Sequence, residues 1–210
     1  MPTVRASEPA KLLRPGLLHG VSLLLAGAAA DRHGPSPTGA AVGAVFTELG
    51  ARVCAYEVIA AGQVAQEEEI DRAVSEALGK GAQIEMLVVD GGGMFAAAGA
   101  GRSGLRVCLE AAWSATRAVA GAAFIPGGQG GRIAYLAPAP GAGPHASAVR
   151  AGLENLARTL SIEWARHGIT TVAIGAGDDT SPAELGALSA YLASRAGAYF
   201  SGCLLDLAGP

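Results

Sequence analysis

ASAVRAGLENLARTLSIEWARHGITTVAIGAG, residues 146–177, carries two periodicities in one unbroken run. Val149, Leu153, Leu156, Leu160 and Trp164 recur at three- and four-residue steps, which lines them along one face of a helix. Gly168 supplies the stop. Thr170–Ile174 then reads as a short apolar, β-branched run, the pattern of a strand covered on both faces. A long amphipathic helix feeding directly into a buried strand is the repeating unit of a parallel α/β sheet.

The alternation extends outward from this unit. Upstream, Arg132–Leu136 is a strand set off by the Pro126–Gly131 turn, and Leu109, Trp113, Thr116 and Ala120 form a helical stripe. Met86–Val89 is a strand running into Asp90, Gly91, Gly92 and Gly93. Ile70, Ala73, Val74 and Ala77 mark another helix, ended by Gly79 and Gly81. Val21–Ala26 and Arg52–Tyr56 are strands flanking a helix with Val42, Val45, Phe46 and Leu49 on one face. Downstream, Leu185, Leu188 and Leu192 line a helix before a last strand at Cys203–Leu207. The expected architecture is a doubly wound, Rossmann-like, three-layer α/β/α domain over residues 20–210, with residues 1–19 as a flexible N-terminal arm.

Composition narrows the function. The chain has 210 residues, 50% hydrophobic and 16% charged, with a net charge of −3. It is long enough for one core and lacks the Lys/Arg clusters that nucleic acid or an anionic membrane would require. Mean hydropathy is +0.35, but the longest apolar run, 21–30, is half of a membrane span. Arg5, Lys11 and Arg14 before that run imitate a signal peptide only loosely, since cleavage there would remove the first core strand. Cys54, Cys108 and Cys203 are odd in number and widely spaced, suggesting neither a disulfide framework nor a metal site. A cytoplasmic setting is expected. No G-x-S-x-G elbow and no Walker loop occurs.

In such sheets ligands bind beyond the carboxyl ends of the strands. That directs attention to residues 27–39, 56–59, 89–93, 136–144 and 174–180. At these ends the chain resembles the short-chain dehydrogenase/reductase family. GGRIAYLAP (130–138) is similar to the family's strand leading to its catalytic serine, and residues 146–177 to its active-site helix and following strand. ELGARVCAYE (48–57), EMLVVDGG (85–92) and YLASRAGAYFSGCLLDLAGP (191–210) match three further segments in the right order, so the resemblance runs from Val21 to Pro210.

The resemblance implies a tyrosine that transfers the substrate proton, a lysine four residues on, a serine and an asparagine. The corresponding positions are Ala146, Arg150, Pro138 and Cys108. Alanine and proline side chains transfer no proton, so the Tyr-x-x-x-Lys motif is lost and only Arg150 keeps its charge. His145 lies one residue from the tyrosine position, about 100° round the helix and so aimed elsewhere. Tyr135 is expected in the core by strand alternation.

For the cofactor, the resemblance implies NAD or NADP. Gly27 and Gly39 match the first and last glycines of the phosphate loop, with Pro37 at the close-approach position, where it removes an N–H donor. Asp31 in the lengthened loop would repel phosphates unless Arg32 or His33 offsets it. Glu57 is placed for the ribose hydroxyls, Asp90 and Gly91 for the turn after the central strand, Arg150 for a ribose hydroxyl and Thr180 for a carboxamide. The segment after Glu57 is shortened and no substrate lid follows Gly177, so weak dinucleotide binding, or none, is expected.

Three functions follow. The first is a degenerate, non-catalytic or weakly cofactor-binding subunit, in a homo-oligomer or paired with an active relative. Its contacts would run through helices Leu105–Val119 and Ser147–Arg166, where Ala151, Gly152 and Ala157 allow close approach. The second is an active NAD(P)-dependent oxidoreductase with an atypical proton donor. The third is a non-redox domain that binds or senses another small ligand.

Overall fold

The apolar runs assemble into a seven-stranded sheet of order β3-β2-β1-β4-β5-β6-β7, in a computed structural model that describes residues 9–28, 35–60, 63–79 and 83–208. The strands are β1 (Ser22–Ala28), β2 (Arg52–Ala60), β3 (Gln63–Val64), β4 (Met86–Val89), β5 (Gly131–Ala137), β6 (Ile169–Gly175) and β7 (Cys203–Asp206). The helices are α1 (Pro37–Glu48), α2 (Glu67–Gly79), α3 (Gly91–Ala97), α4 (Arg102–Val119), the single turn α5 (Ile125–Gly127), α6 (Ala146–Glu163) and α7 (Pro182–Ala193). All pairings are parallel except the short β2–β3 contact. The unit between β2 and α2 is reduced to that contact, as the spacing after Glu57 implies.

Strand alternation divides the core into two layers. Leu24, Ala26, Val89 and Tyr135 face α2, α3, α4 and α6, meeting Ile70, Met94, Val107, Ala111, Val149 and Leu153. Leu23, Leu25, Val88, Leu136 and Ile174 face α1 and α7, meeting Val42, Phe46, Leu185 and Leu192. Leu153 is fully buried, and withdrawing such a side chain from water contributes about 1.5–3 kcal/mol. Trp113 differs from the rest of its expected stripe. It is 44% exposed, while Thr116 and Ala120 are buried.

Residues 9–19 are not a loose arm. Leu18 is fully buried and packs in the α1/α7 layer, with Ala10, Leu13 and Leu17 against it. Its N–H donates to the Leu49 carbonyl at 3.0 Å, capping the end of α1. Residues 1–8, the remainder of the expected arm, lie outside the described residues.

Ala157 also departs from its expected place on an outward helix face. It is fully buried, and its carbonyl accepts from Thr171 Oγ1 at 2.5 Å, which ties α6 to β6. Gly152 serves contact within the chain, since a Cβ there would lie 2.8 Å from the Leu109 side chain of α4. Ala151 remains exposed.

Candidate functional site

The parallel register brings the carboxyl ends of the strands to one edge. Gly27 pairs with Glu57, Ala26 with Val89, Ala137 with Gly175 and Gly175 with Asp206. Because the chain goes from β1 to β2 on one side and returns to β4 on the other, a crevice opens between β1 and β4. It contains two cavities. One, about 220 Å³, is lined by Thr38, Asp90, Gly92, Pro138, Ala176 and Thr180 among others. The second, about 110 Å³, is lined by Gly27, Ser36, Gly39, Tyr56, Glu57 and Asp90 among others.

At the β5–α6 end, the expected site residues are mostly packed. Ala146 is fully buried in the first turn of α6. Pro138, itself without an ionisable group, borders the larger cavity. Cys108 is buried, its thiol donating to the Gly91 carbonyl at 3.2 Å; burial, then the neighbouring Asp90 charge, push its pKa up to about 12. His145 precedes α6 and makes no side-chain cap. Tyr135 is in the core as alternation predicts, its hydroxyl 3.0 Å from Thr116 Oγ1.

Arg150 is turned to structural use. Nη1 donates to the carbonyls of Pro138 at 3.0 Å and Ala176 at 2.7 Å, and Nη2 to Asp206 Oδ1 at 2.8 Å. The guanidinium thus bridges the ends of β5, β6 and β7, with 12% of its side chain exposed. A planar fork with fixed donors suits this task better than an ammonium would. Asp206 is held below the usual carboxylate range by the Ala208 N–H first, with Arg150 adding to it.

The β1–β4 end holds a buried titratable group. Asp90 is 1% exposed and caps α3, Oδ1 accepting from the Gly93 N–H at 2.9 Å. Oδ2 accepts from the Ser36 hydroxyl. Ser36 in turn caps α1, its Oγ accepting from the Gly39 N–H at 2.9 Å. Burial raises the Asp90 carboxyl, opposed by the bonds from Ser36 and Gly93. Ser36 was not among the residues singled out in the sequence, although Ser followed by Pro at the first helical position is an N-cap signal.

The remaining expected residues divide. Gly27, Gly39 and Glu57 line the smaller cavity, and a Cβ on Gly27 would meet nothing within 4 Å. Gly91 looks inward instead: a Cβ there would lie 2.7 Å from Leu153 Cδ1 and 2.9 Å from the Leu136 carbonyl. Its lack of a side chain serves the packing of α3 against β5 and α6. Thr180 borders the larger cavity, but its Oγ1 accepts from the Gly177 N–H at 2.8 Å. Residues 176–181 alone join β6 to α7, so no lid is inserted. Asp31, Arg32 and His33 lie outside the described residues.

Among the described residues no group of three His, Cys, Asp or Glu side chains is placed to hold a metal ion. No described helix is long and apolar enough to cross a membrane.

Solved structures with a similar fold include two dehydrogenases and a third protein. A short-chain dehydrogenase from Mycobacterium smegmatis superposes with a TM-score of 0.73 at 21% identity, covering 92% of this chain and 94% of its own. A hydroxysteroid dehydrogenase from Escherichia coli gives 0.70 at 16%, covering 93% and 98%. BdcA (YjgI) from E. coli gives 0.66 at 20%, covering 91% and 100%. No protein-family model matches the sequence, and no curated protein matches it.

Proposed function

We propose that this chain is a catalytically degenerate homologue of the short-chain dehydrogenases, a non-catalytic or weakly cofactor-binding subunit of a cytoplasmic oligomer, assembled with itself or with an active relative. The observation that carries this reading is at the β5–α6 end. Ala146 is sealed in the core, Pro138 has nothing to donate, and both Arg150 nitrogens that bond there are committed to Pro138, Ala176 and Asp206. General acid–base catalysis needs a titrating group within hydrogen-bond reach of the substrate, and the positions that would hold it do not have one. Assembly is supported by two large apolar side chains left uncovered on neighbouring helices, Trp113 of α4 at 44% and Ile162 of α6 at 78% exposure.

Sedimentation velocity of the purified chain, with and without Trp113→Asp and Ile162→Asp, tests the assembly. Wild type is expected as a dimer or larger, and the double variant as a folded monomer. A wild-type monomer that also captures no dehydrogenase subunit in a pull-down would contradict the reading.

A second reading, an active NAD(P)-dependent oxidoreductase with an atypical donor, is favoured by one group. Asp90 borders the larger cavity and its carboxyl is raised by burial, the property of a general acid. It is the weaker reading because both carboxyl oxygens are already bonded, to Gly93 and Ser36. Turnover of NADPH with a carbonyl substrate, lost in Asp90→Asn, would establish it.

A further inference from the structure

A helix that opens beside the first strand of such a sheet offers free N–H groups and a positive dipole end, the place where a dinucleotide rests its phosphates. In this chain one such group of α1, and one of the neighbouring α3, is served from within. Ser36 Oγ accepts the Gly39 N–H of α1 at 2.9 Å, and the same hydroxyl donates to Asp90. Asp90 accepts the Gly93 N–H of α3 at 2.9 Å with its other oxygen. Pro37, the first residue of α1, has no N–H to add.

One packing observation agrees. A Cβ on Gly93 would collide with Asp90 Oδ2 and come within 2.8 Å of Ser36 Cβ, so the absence of a side chain there makes room for the carboxyl. Asp90 also lines both cavities of the crevice, standing between the part that holds Glu57 and the part that holds Pro138 and Thr180. A dinucleotide laid along the crevice would bring its phosphates past that carboxyl. Among the described residues, those at the phosphate position do not fit the group.

We infer that the Ser36–Asp90 pair is the resident occupant of the crevice's anion position, excluding dinucleotides and leaving the crevice to ligands with no phosphate there. This deepens the proposed function, on which it rests, by naming the groups that weaken cofactor binding. A carboxylate in a poorly solvated site repels a like charge far more than it would in water, so removing the Asp90 carboxyl has a large effect on phosphate-bearing ligands and little on neutral ones.

The test is titration of NADH, ADP and adenosine into wild type, Asp90→Asn, Asp90→Ser and Ser36→Ala, followed by calorimetry. Asn and Ser both retain a cap for Gly93, so at least one neutral variant is expected to fold. Both neutral variants should bind NADH at least about tenfold more tightly than wild type, and the ADP-to-adenosine affinity ratio should rise by a similar factor. Ser36→Ala, which keeps the charge, should show no such gain. Folded neutral variants whose NADH affinity and ADP-to-adenosine ratio equal those of wild type would overturn the inference while leaving the proposed function standing. The same holds if neither neutral variant binds NADH at all. Tight NADH binding by wild type would overturn both.

Discussion

The two ends of the crevice have come to opposite arrangements on one scaffold. At the β5–α6 end, packing prevails: Ala146 and Leu153 are core residues and Arg150 is a clamp on the carbonyls of Pro138 and Ala176. At the β1–β4 end, a carboxyl remains fully buried, bonded to the caps of α1 and α3. The fold tolerates both, because the strand register depends on apolar alternation and helix capping, and neither demands a group that reacts. Function on such a scaffold lives in a handful of side chains at the strand ends.

If the β5–α6 end is held by packing, truncation there should cost most. Leu153→Ala is expected to lose about 2–5 kcal/mol of stability, read from the midpoint of urea unfolding. A loss below about 1 kcal/mol would mean that α6 is not seated as described. Arg150→Ala leaves the carbonyls of Pro138 and Ala176 without their donor, at a cost of about 1–3 kcal/mol. Arg150→Lys should recover only part, since an ammonium does not span three acceptors as a planar fork does. Asp206 is held low in the folded protein, so its contribution is present above the unfolded value of about 3.9 and lost as pH falls through the folded value. Arg150→Ala should reduce that acid sensitivity without abolishing it, because the Ala208 N–H also holds Asp206 low.

At the β1–β4 end the pH dependence has the other sign. Burial raises Asp90, so the folded protein keeps this proton where the unfolded chain has already lost it. Its stabilising contribution is complete below about pH 3.9 and declines as pH rises through the folded value. Asp90→Asn should therefore gain stability relative to wild type on going from acid to neutral pH, measured by urea unfolding along a pH series. A difference that does not change with pH would show that Asp90 titrates as it does in the unfolded chain. The smallest effect is expected at Glu57, exposed at the rim of the smaller cavity. Glu57→Gln should alter stability by less than about 0.5 kcal/mol, and a larger loss would give Glu57 a structural duty.

The fold was legible because periodicity reports burial. Val149, Leu153 and Leu160 at helical spacing, and the continuous apolar strands, led to the sheet and its layers. The placement of the candidate site was legible too: Pro138, Ala146 and Cys108 sit at the end of β5, the start of α6 and the inner face of α4. What sequence could not convey was direction. Gly91 and Arg150 stand at the strand ends but turn inward, Ala157 faces the core, and Trp113 faces out, since a rotation of one helical step is invisible without neighbours. The Ser36–Asp90 bond joins residues 54 apart, and no local pattern encodes such a meeting. Leu18 was obscured for a similar reason, being a lone apolar residue in a short, proline-bounded segment that finds its partner at Leu49.

The most direct measurement is calorimetric titration of the wild-type chain with NADH and NADPH at neutral pH. The expected result is no saturation with either nucleotide up to about 1 mM, equivalent to binding weaker than about 4 kcal/mol. Saturable binding in the micromolar range would contradict it, because the proposed Ser36–Asp90 occupant stands where a dinucleotide would rest its phosphates.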